Sequence, residues 1–233
     1  MISVLQGYEQ AAYYSFAYNF VSIGTIVWTS INYSLVPFVL EQYKRENYKH
    51  VSDKVLLILY FIFIILVIIM LFAPELVLLL GTKAYYQAIY VIPPVVASVF
   101  FQCLYGIFTN VLYYVKKPKY VLYASLCSGF VNIILNFFLI QRFGYIAAAY
   151  TTIFSYALQA LLDYIISKRI MGKEIYDIKK ILLLSISIVI ASILISLLYS
   201  NNAVRYIIIF CVIVLFCLYF RRYRKQLFRM GDI

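Results

Sequence analysis

From Val121 to Ile140 the chain runs for twenty residues without a charged side chain. At about 1.5 Å of rise per residue, a helix of that length crosses a hydrocarbon core about 30 Å thick. The small and polar residues inside it step by three and four. Ser125, Ser128, Gly129, Asn132 and Asn136 therefore share one face, with Leu126, Phe130, Ile133, Ile134 and Phe137 opposite. Gln141 to Gly144 interrupt the apolar run, and Gly144 is placed to stop the helix. The return limb, to Ile166, sets Ala148, Thr152, Ser155, Gln159 and Asp163 on one face. Two adjacent apolar helices with matching polar stripes predict an interior that lipid does not reach.

The rest of the chain follows the same pattern. Further spans are predicted at about Tyr14–Leu40, Leu56–Phe72, Ala88–Tyr114, Ile181–Leu198 and Val204–Phe220. Ser15, Asn19, Ser22 and Thr29 stripe the first of these; Gln102, Gly106, Thr109, Asn110 and Tyr113 stripe the third. Leu56–Phe72 has Tyr60 as its only polar side chain and reads as a lipid-facing helix. Pro93-Pro94 are predicted to kink or delay the third span. With 65% hydrophobic and 12% charged residues, the chain reads as an all-α polytopic membrane protein with about seven transmembrane helices. The short alternating segments of a β-barrel are absent.

The net charge of +11 sits in short loops, which argues against nucleic acid as a partner. Seventeen Lys and Arg residues fall in the even-numbered connections and the C-terminal tail, against Lys83, Arg142 and Arg205 on the other side. That bias places the C-terminus in the cytoplasm and the N-terminus of this chain outside. An outside start with no signal segment reads as the C-terminal part of a longer protein. Cys103, Cys127, Cys211 and Cys217 all lie in spans as small apolar residues, and no metal-ligand spacing or cofactor motif is visible. His50 reads as a solvated loop residue. The tyrosines near span ends, among them Tyr13, Tyr14, Tyr113, Tyr114 and Tyr120, read as an interfacial belt. The outer loops hold no acid/base or nucleophile constellation, which argues against a membrane-embedded polymerase or acyltransferase.

Three segments carry a family resemblance. Ala12 to Tyr18 (AYYSFAY) followed by Pro37 is similar to a signature helix of bacterial polysaccharide flippases. Phe72 to Gly81 (FAPELVLLLG), then Tyr85 or Tyr86 and Ala88, resembles their connecting segment. Asn132 to Ile140 (NIILNFFLI), Gly144 and Ala147 to Thr151 (AAAYT) resemble a third motif, with Gln141 where Pro is usual and Ala147 where Gly is common. On these motifs, which span roughly Met1 to Ile170, the chain resembles the Wzx-type branch of the multidrug/oligosaccharidyl-lipid/polysaccharide exporter superfamily. The resemblance implies a two-lobe transporter in the bacterial cytoplasmic membrane, which rocks to move undecaprenyl-pyrophosphate-linked oligosaccharide between leaflets. It also implies that residues 1–170 are five helices of the second lobe. Residues 171–233 would then be two further helices and a basic tail, and the first lobe would be missing or supplied by a partner chain. A lipid II-type or drug-exporting relative is the alternative, and a non-transporting scaffold a more distant one.

On this reading the candidate cavity residues are Asn19, Gln102, Asn110, Asn132, Asn136, Gln159 and Asp163. The competing role for each amide is to glue helices together. Asp163 can gate or can be interfacial. No Lys or Arg lies mid-span, so a pyrophosphate would meet cations supplied by the missing lobe or by Lys116, Lys117 and Arg142 at the rims.

Overall fold

Each predicted span is a helix, most of them extended by a turn or more at one or both ends. The computed structural model describes residues 1–81 and 83–228, with side chains as far as Tyr223. In order these are α1 (Ile2–Leu5), α2 (Tyr8–Lys44), α3 (Tyr48–Leu71), α4 (Ala73–Leu80), a 3-10 segment (Lys83–Tyr90), α5 (Ile92–Tyr114), α6 (Pro118–Phe143), α7 (Ala147–Met171), α8 (Ile178–Leu198) and α9 (Asn202–Phe228). Arg229, counted with the basic tail above, lies outside the described residues, as do the side chains of Arg224 and Lys225.

Six of these helices are long and apolar enough to cross a membrane, and the fold is all-helical among the described residues. The seventh long helix, α7, is less apolar because one face carries the polar stripe. It still traverses the bundle. Its start follows α6 across a three-residue turn, where Gly144 takes φ 78°, a left-handed value open to glycine. Beyond its far end, Lys173 meets Glu46 after α2 at 3.5 Å.

The bundle is built around α5, whose side chains are buried along nearly the whole helix. Its neighbours are α2, α7, α3 and α8. Pro93 and Pro94 occupy its first turn, where missing N–H groups leave no helical bond unmade. The proline pair therefore delays α5, behind the 3-10 segment, rather than kinking it. At Gly106 an added Cβ would lie 3.0 Å from the Trp28 indole, so glycine lets that ring sit close against α5 and any larger residue would have to push it back.

The expectation of a lipid-facing Leu56–Phe72 does not hold. Val55, Leu56, Ile58, Leu59, Ile62, Leu66, Met70 and Leu71 are buried, because α2, α5, α8 and α9 pack around α3. A helix that is apolar all round can be a central helix as well as a peripheral one, and sequence periodicity does not separate the two. The spans least buried within the bundle are α9, α6, α2 and α8. On α6, Leu126, Phe130, Ile133 and Phe137 are exposed.

Two polar fasteners hold α8 and α9 against the rest. At the basic end, the buried Tyr43 and Tyr176 hydroxyls lie 2.6 Å apart, and the Asp177 N–H donates to Ser52 Oγ at 3.0 Å. Asp177 caps α8, and its hydrogen bond to the Lys180 ammonium holds its carboxyl below the usual carboxylate range. At the opposite end, Arg205 is 2% exposed and donates through both terminal nitrogens to Glu75, which follows α3 in the first turn of α4. Asn202 Oδ1 accepts from Arg205 at 3.2 Å, and the Tyr206 hydroxyl donates to Glu75 at 2.7 Å.

Candidate functional site

The polar stripes meet in two places: a closed seam between helices and an open groove. The seam joins α5 and α7 to each other and to the helices beside them. The Thr109 hydroxyl donates to Asp163 Oδ2 at 2.9 Å, and the Ser128 hydroxyl donates to Gln159 Oε1 at 3.4 Å. On the other side of α5, the Thr25 hydroxyl donates to Gln102 Oε1 at 3.0 Å and the Asn110 amide donates to Asn32 Oδ1 at 2.9 Å. Gln159, Asn110 and Asp163 are buried there. Asp163 Oδ1 is buried without a hydrogen-bond partner among the described residues. Its carboxyl is the one acidic group inside the seam.

The groove, of about 460 Å³, is lined by α1, α2, α6 and α7. Tyr14, Ser15 and Tyr18 form its α2 wall, Asn132 and Asn136 its α6 wall, and Ala148 and Thr152 its floor. The wall is preorganised. The Asn136 amide donates to Asn132 Oδ1 at 2.9 Å, while Asn136 Oδ1 accepts from Thr151 at 2.6 Å. Tyr14 and Thr152 hydroxyls close the floor at 3.5 Å, and the Tyr14 and Tyr18 rings stack at 5.9 Å. Such a surface offers hydroxyls, amide N–H groups and ring faces, the set that recognises polyhydroxylated ligands. Its lining holds no charged side chain.

The sequence candidates therefore separate. Asn132 and Asn136 line the groove, and Asn19, exposed on α2, lies one turn beyond Ser15 on the same face. Gln102, Asn110, Gln159 and Asp163 lie in the seam. Lys116 and Lys117 sit in the α5–α6 turn and Arg142 in the last turn of α6, so the helix length of about 39 Å separates them. They cannot converge on one phosphate. Tyr14, assigned above to an interfacial belt, stands in the groove instead, because α2 begins at Tyr8 and carries Tyr14 nearly two turns inside. Asn32, Thr25 and Thr151 did not emerge from the sequence as partners. Each is a single polar residue whose significance depends on what the neighbouring helix places opposite. Among the described residues, no group of three His, Cys, Asp or Glu side chains is placed to hold a metal ion.

Replacing Asn110 by Ala leaves the Asn32 amide oxygen without its partner between α2 and α5. The expected loss is about 0.6 kcal/mol, the average for membrane hydrogen bonds. It is measured as a lower thermal unfolding midpoint in detergent, followed by Trp28 fluorescence. An unchanged midpoint would remove Asn110 from the seam.

The described residues thus form a multi-pass helical bundle with an internal polar seam and a polar groove toward one end. The chain belongs to the MatE family, whose model matches residues 1–138, and so to the exporter superfamily that its motifs resemble. Its fold is similar to that of a solved lipid II flippase, MurJ, in an inward closed conformation, with a TM-score of 0.63 and 17% identity. The match covers 93% of this chain and 48% of that one, so the chain spans about half the length of the protein it resembles. No curated protein matches the chain.

Proposed function

We propose that the chain forms one lobe of a flippase for undecaprenyl-pyrophosphate-linked oligosaccharide, with the α1–α2–α6–α7 groove as its half of the glycan path. The hydroxyl- and amide-lined groove carries this reading, because such groups exchange hydrogen bonds with sugar hydroxyls and none of its side chains has a charge to neutralise a pyrophosphate. MatE membership and the flippase-like fold support the transporter class. Cations for the pyrophosphate come, on this reading, from a second lobe. The likeness to MurJ favours one second reading, a lipid II-type substrate, which shares the undecaprenyl-pyrophosphate anchor and differs in the glycan. On this reading the basic end of the bundle, with the C-terminal end of the chain, faces the cytoplasm.

Proteoliposomes containing the chain joined to a complementing first lobe test the reading. Loss of a fluorescent undecaprenyl-pyrophosphate glycan from one leaflet is followed with parent and Asn136→Ala proteins. One lost neutral hydrogen bond predicts a roughly fivefold lower rate, on the basis of about 1 kcal/mol per bond. An undiminished rate would take Asn136 out of the path. Running lipid II beside an oligosaccharide substrate decides between the two glycans.

Orientation is tested by single cysteines in a background lacking the four native ones. Cysteines at Lys117 and Lys173 are expected to react only from the cytoplasm, and one at Lys83 only from outside. Arg205, also on the outer side by charge, is unsuitable as a reporter because it is buried. Exterior labelling at Lys117 would reverse the assignment.

A further inference from the structure

The hydrogen bonds inside the groove fix which of its groups are left for a ligand. A hydroxyl has one proton to give, whereas a carboxamide has two N–H groups and one acceptor oxygen. Thr152 gives its proton to the Ala148 carbonyl at 2.8 Å, so in its contact with Tyr14 at 3.5 Å the phenol is the donor. With both protons committed, the floor offers oxygen lone pairs. On the α6 wall the Asn136 amide donates one N–H to Asn132 Oδ1, and its own oxygen accepts the Thr151 proton. Among the described residues, one N–H of Asn136 and both of Asn132 remain. Turning the two carboxamides end for end still leaves one N–H on each. Asn132 then donates to Asn136, and Asn136 to Thr151, whose proton goes to the Ala148 carbonyl at 2.9 Å. Both amides are half-buried and line the groove.

The α6 wall therefore donates and the floor accepts. The two adjoin, because Thr151, which meets Asn136, is the chain neighbour of Thr152. An apolar edge lies beside them. Ile140 is one turn beyond Asn136 on the same face of α6, and Ala148 is one turn before Thr152 on α7; both line the groove. Donors, acceptors and a small apolar edge in one place complement a secondary amide. Its carbonyl accepts, its N–H donates, and its methyl group takes the apolar edge. A hydroxyl meets wall and floor alike and makes no use of that edge. A carboxylate only accepts, and it brings a charge that no side chain in the lining neutralises.

We infer that the groove selects an acetamido sugar. The acetamido carbonyl accepts from Asn132 and Asn136, its N–H donates to the oxygens of Tyr14 and Thr152, and its methyl group packs on Ile140 and Ala148. The inference rests on the reading of the groove as a glycan path and names the class of sugar that such a path prefers. It makes Asn132 and Asn136 determinants of specificity. A site built to hydrogen-bond a particular group discriminates against the analogue that lacks it, because its own buried polar groups are then left unpaired.

The test compares diacetylchitobiose with cellobiose, the same pair of linked rings with hydroxyls in place of the acetamido groups. Binding to the purified chain in neutral detergent is read by saturation-transfer difference NMR. Diacetylchitobiose is expected to bind about fivefold more tightly, the effect of one neutral hydrogen bond, with the strongest transfer to its acetyl methyl groups. Asn132→Ala and Asn136→Ala are each expected to bring the ratio of the two affinities toward one. A fold defect lowers both affinities together and leaves their ratio, and the parent ratio needs no variant. Equal affinities in the parent, or no transfer to the acetyl methyl groups, would overturn the inference. Tighter binding of glucuronate than of N-acetylglucosamine would overturn it in favour of a carboxylate sugar. The flipping assay separates this outcome from the flippase reading. If the affinities are equal while Asn136→Ala still slows flipping, the path stands and the acetamido preference does not. If diacetylchitobiose is preferred while Asn136→Ala flips at the parent rate, the sugar contact stands and the path does not.

Discussion

Glu75→Ala is expected to lower the stability of the bundle by about 3 kcal/mol, the cost of leaving a buried charge without its partner. Arg205 is enclosed by α3, α4 and the start of α9, and Glu75 is the one acid that pairs with it. The Tyr206 and Tyr199 rings lie 5.0 and 6.0 Å from the guanidinium, but neither supplies a full opposite charge. The arginine's remaining acceptors are Asn202 and, at 3.5 Å, the Leu71 carbonyl, and its Nε makes no hydrogen bond among the described residues. The reverse change, Arg205→Met, is expected to cost less, because Glu75 is about one-third exposed and can turn to water. The double variant Glu75→Leu/Arg205→Met should recover most of the loss, since well-packed apolar side chains can replace a buried ion pair at little net cost. Trp28, the single tryptophan, is buried between α2 and α5 and reports unfolding in detergent. A Glu75→Ala protein that melts with the parent would mean that Arg205 is solvated, and that the fastener does not hold the α8–α9 pair.

That fastener shows where sequence reading stops. Arg205 was legible as a residue of the less basic side, but Glu75 lies 130 positions away and no local pattern links the two. What was legible were the helices themselves, because apolar runs and three-four spacing are local quantities. The stripes on α2, α5, α6 and α7 were legible for the same reason; α7 bonds through its stripe to α5 and α6, whereas Ser15, Asn19, Ser22 and Thr29 of α2 are exposed. Their division into a closed seam and an open groove was not. Asn110 and Asn136 look alike in sequence; one pairs across helices with Asn32, while the other stands at a cleft wall. That difference depends on which helices approach closely, which is set by residues such as Gly106 opposite Trp28. The burial of α3 was hidden for a related reason, since a uniformly apolar helix gives no signal of which neighbours surround it.

The chain reconstituted alone is expected to flip undecaprenyl-linked glycan no faster than empty liposomes do. The groove has walls on α2 and α6, and the polar face of α2 continues past it, with Ser15, Asn19, Ser22 and Thr29 all exposed. Thr29 returns its hydroxyl to the Thr25 carbonyl one turn back, which satisfies it in hydrocarbon. An exposed amide such as Asn19 has more donors and acceptors than a single turn of helix can meet. Facing acyl chains, each unmet group costs several kcal/mol. A surface of this kind is stable against another protein face or a water-filled cavity, and alternating access in repeat-built transporters arises where two such bundles rock about a shared site. No side chain lining the groove is a cation, so one lobe offers no Lys or Arg to carry a pyrophosphate through the apolar layer. The prediction is read as the fraction of fluorescent lipid-linked glycan that becomes accessible to a membrane-impermeant quencher, with and without a complementing lobe in the same vesicles. Flipping by the chain alone, above the empty-liposome rate, would show that its groove suffices. If cross-linking from a cysteine at Asn19 then trapped a dimer, a second copy would be the missing wall.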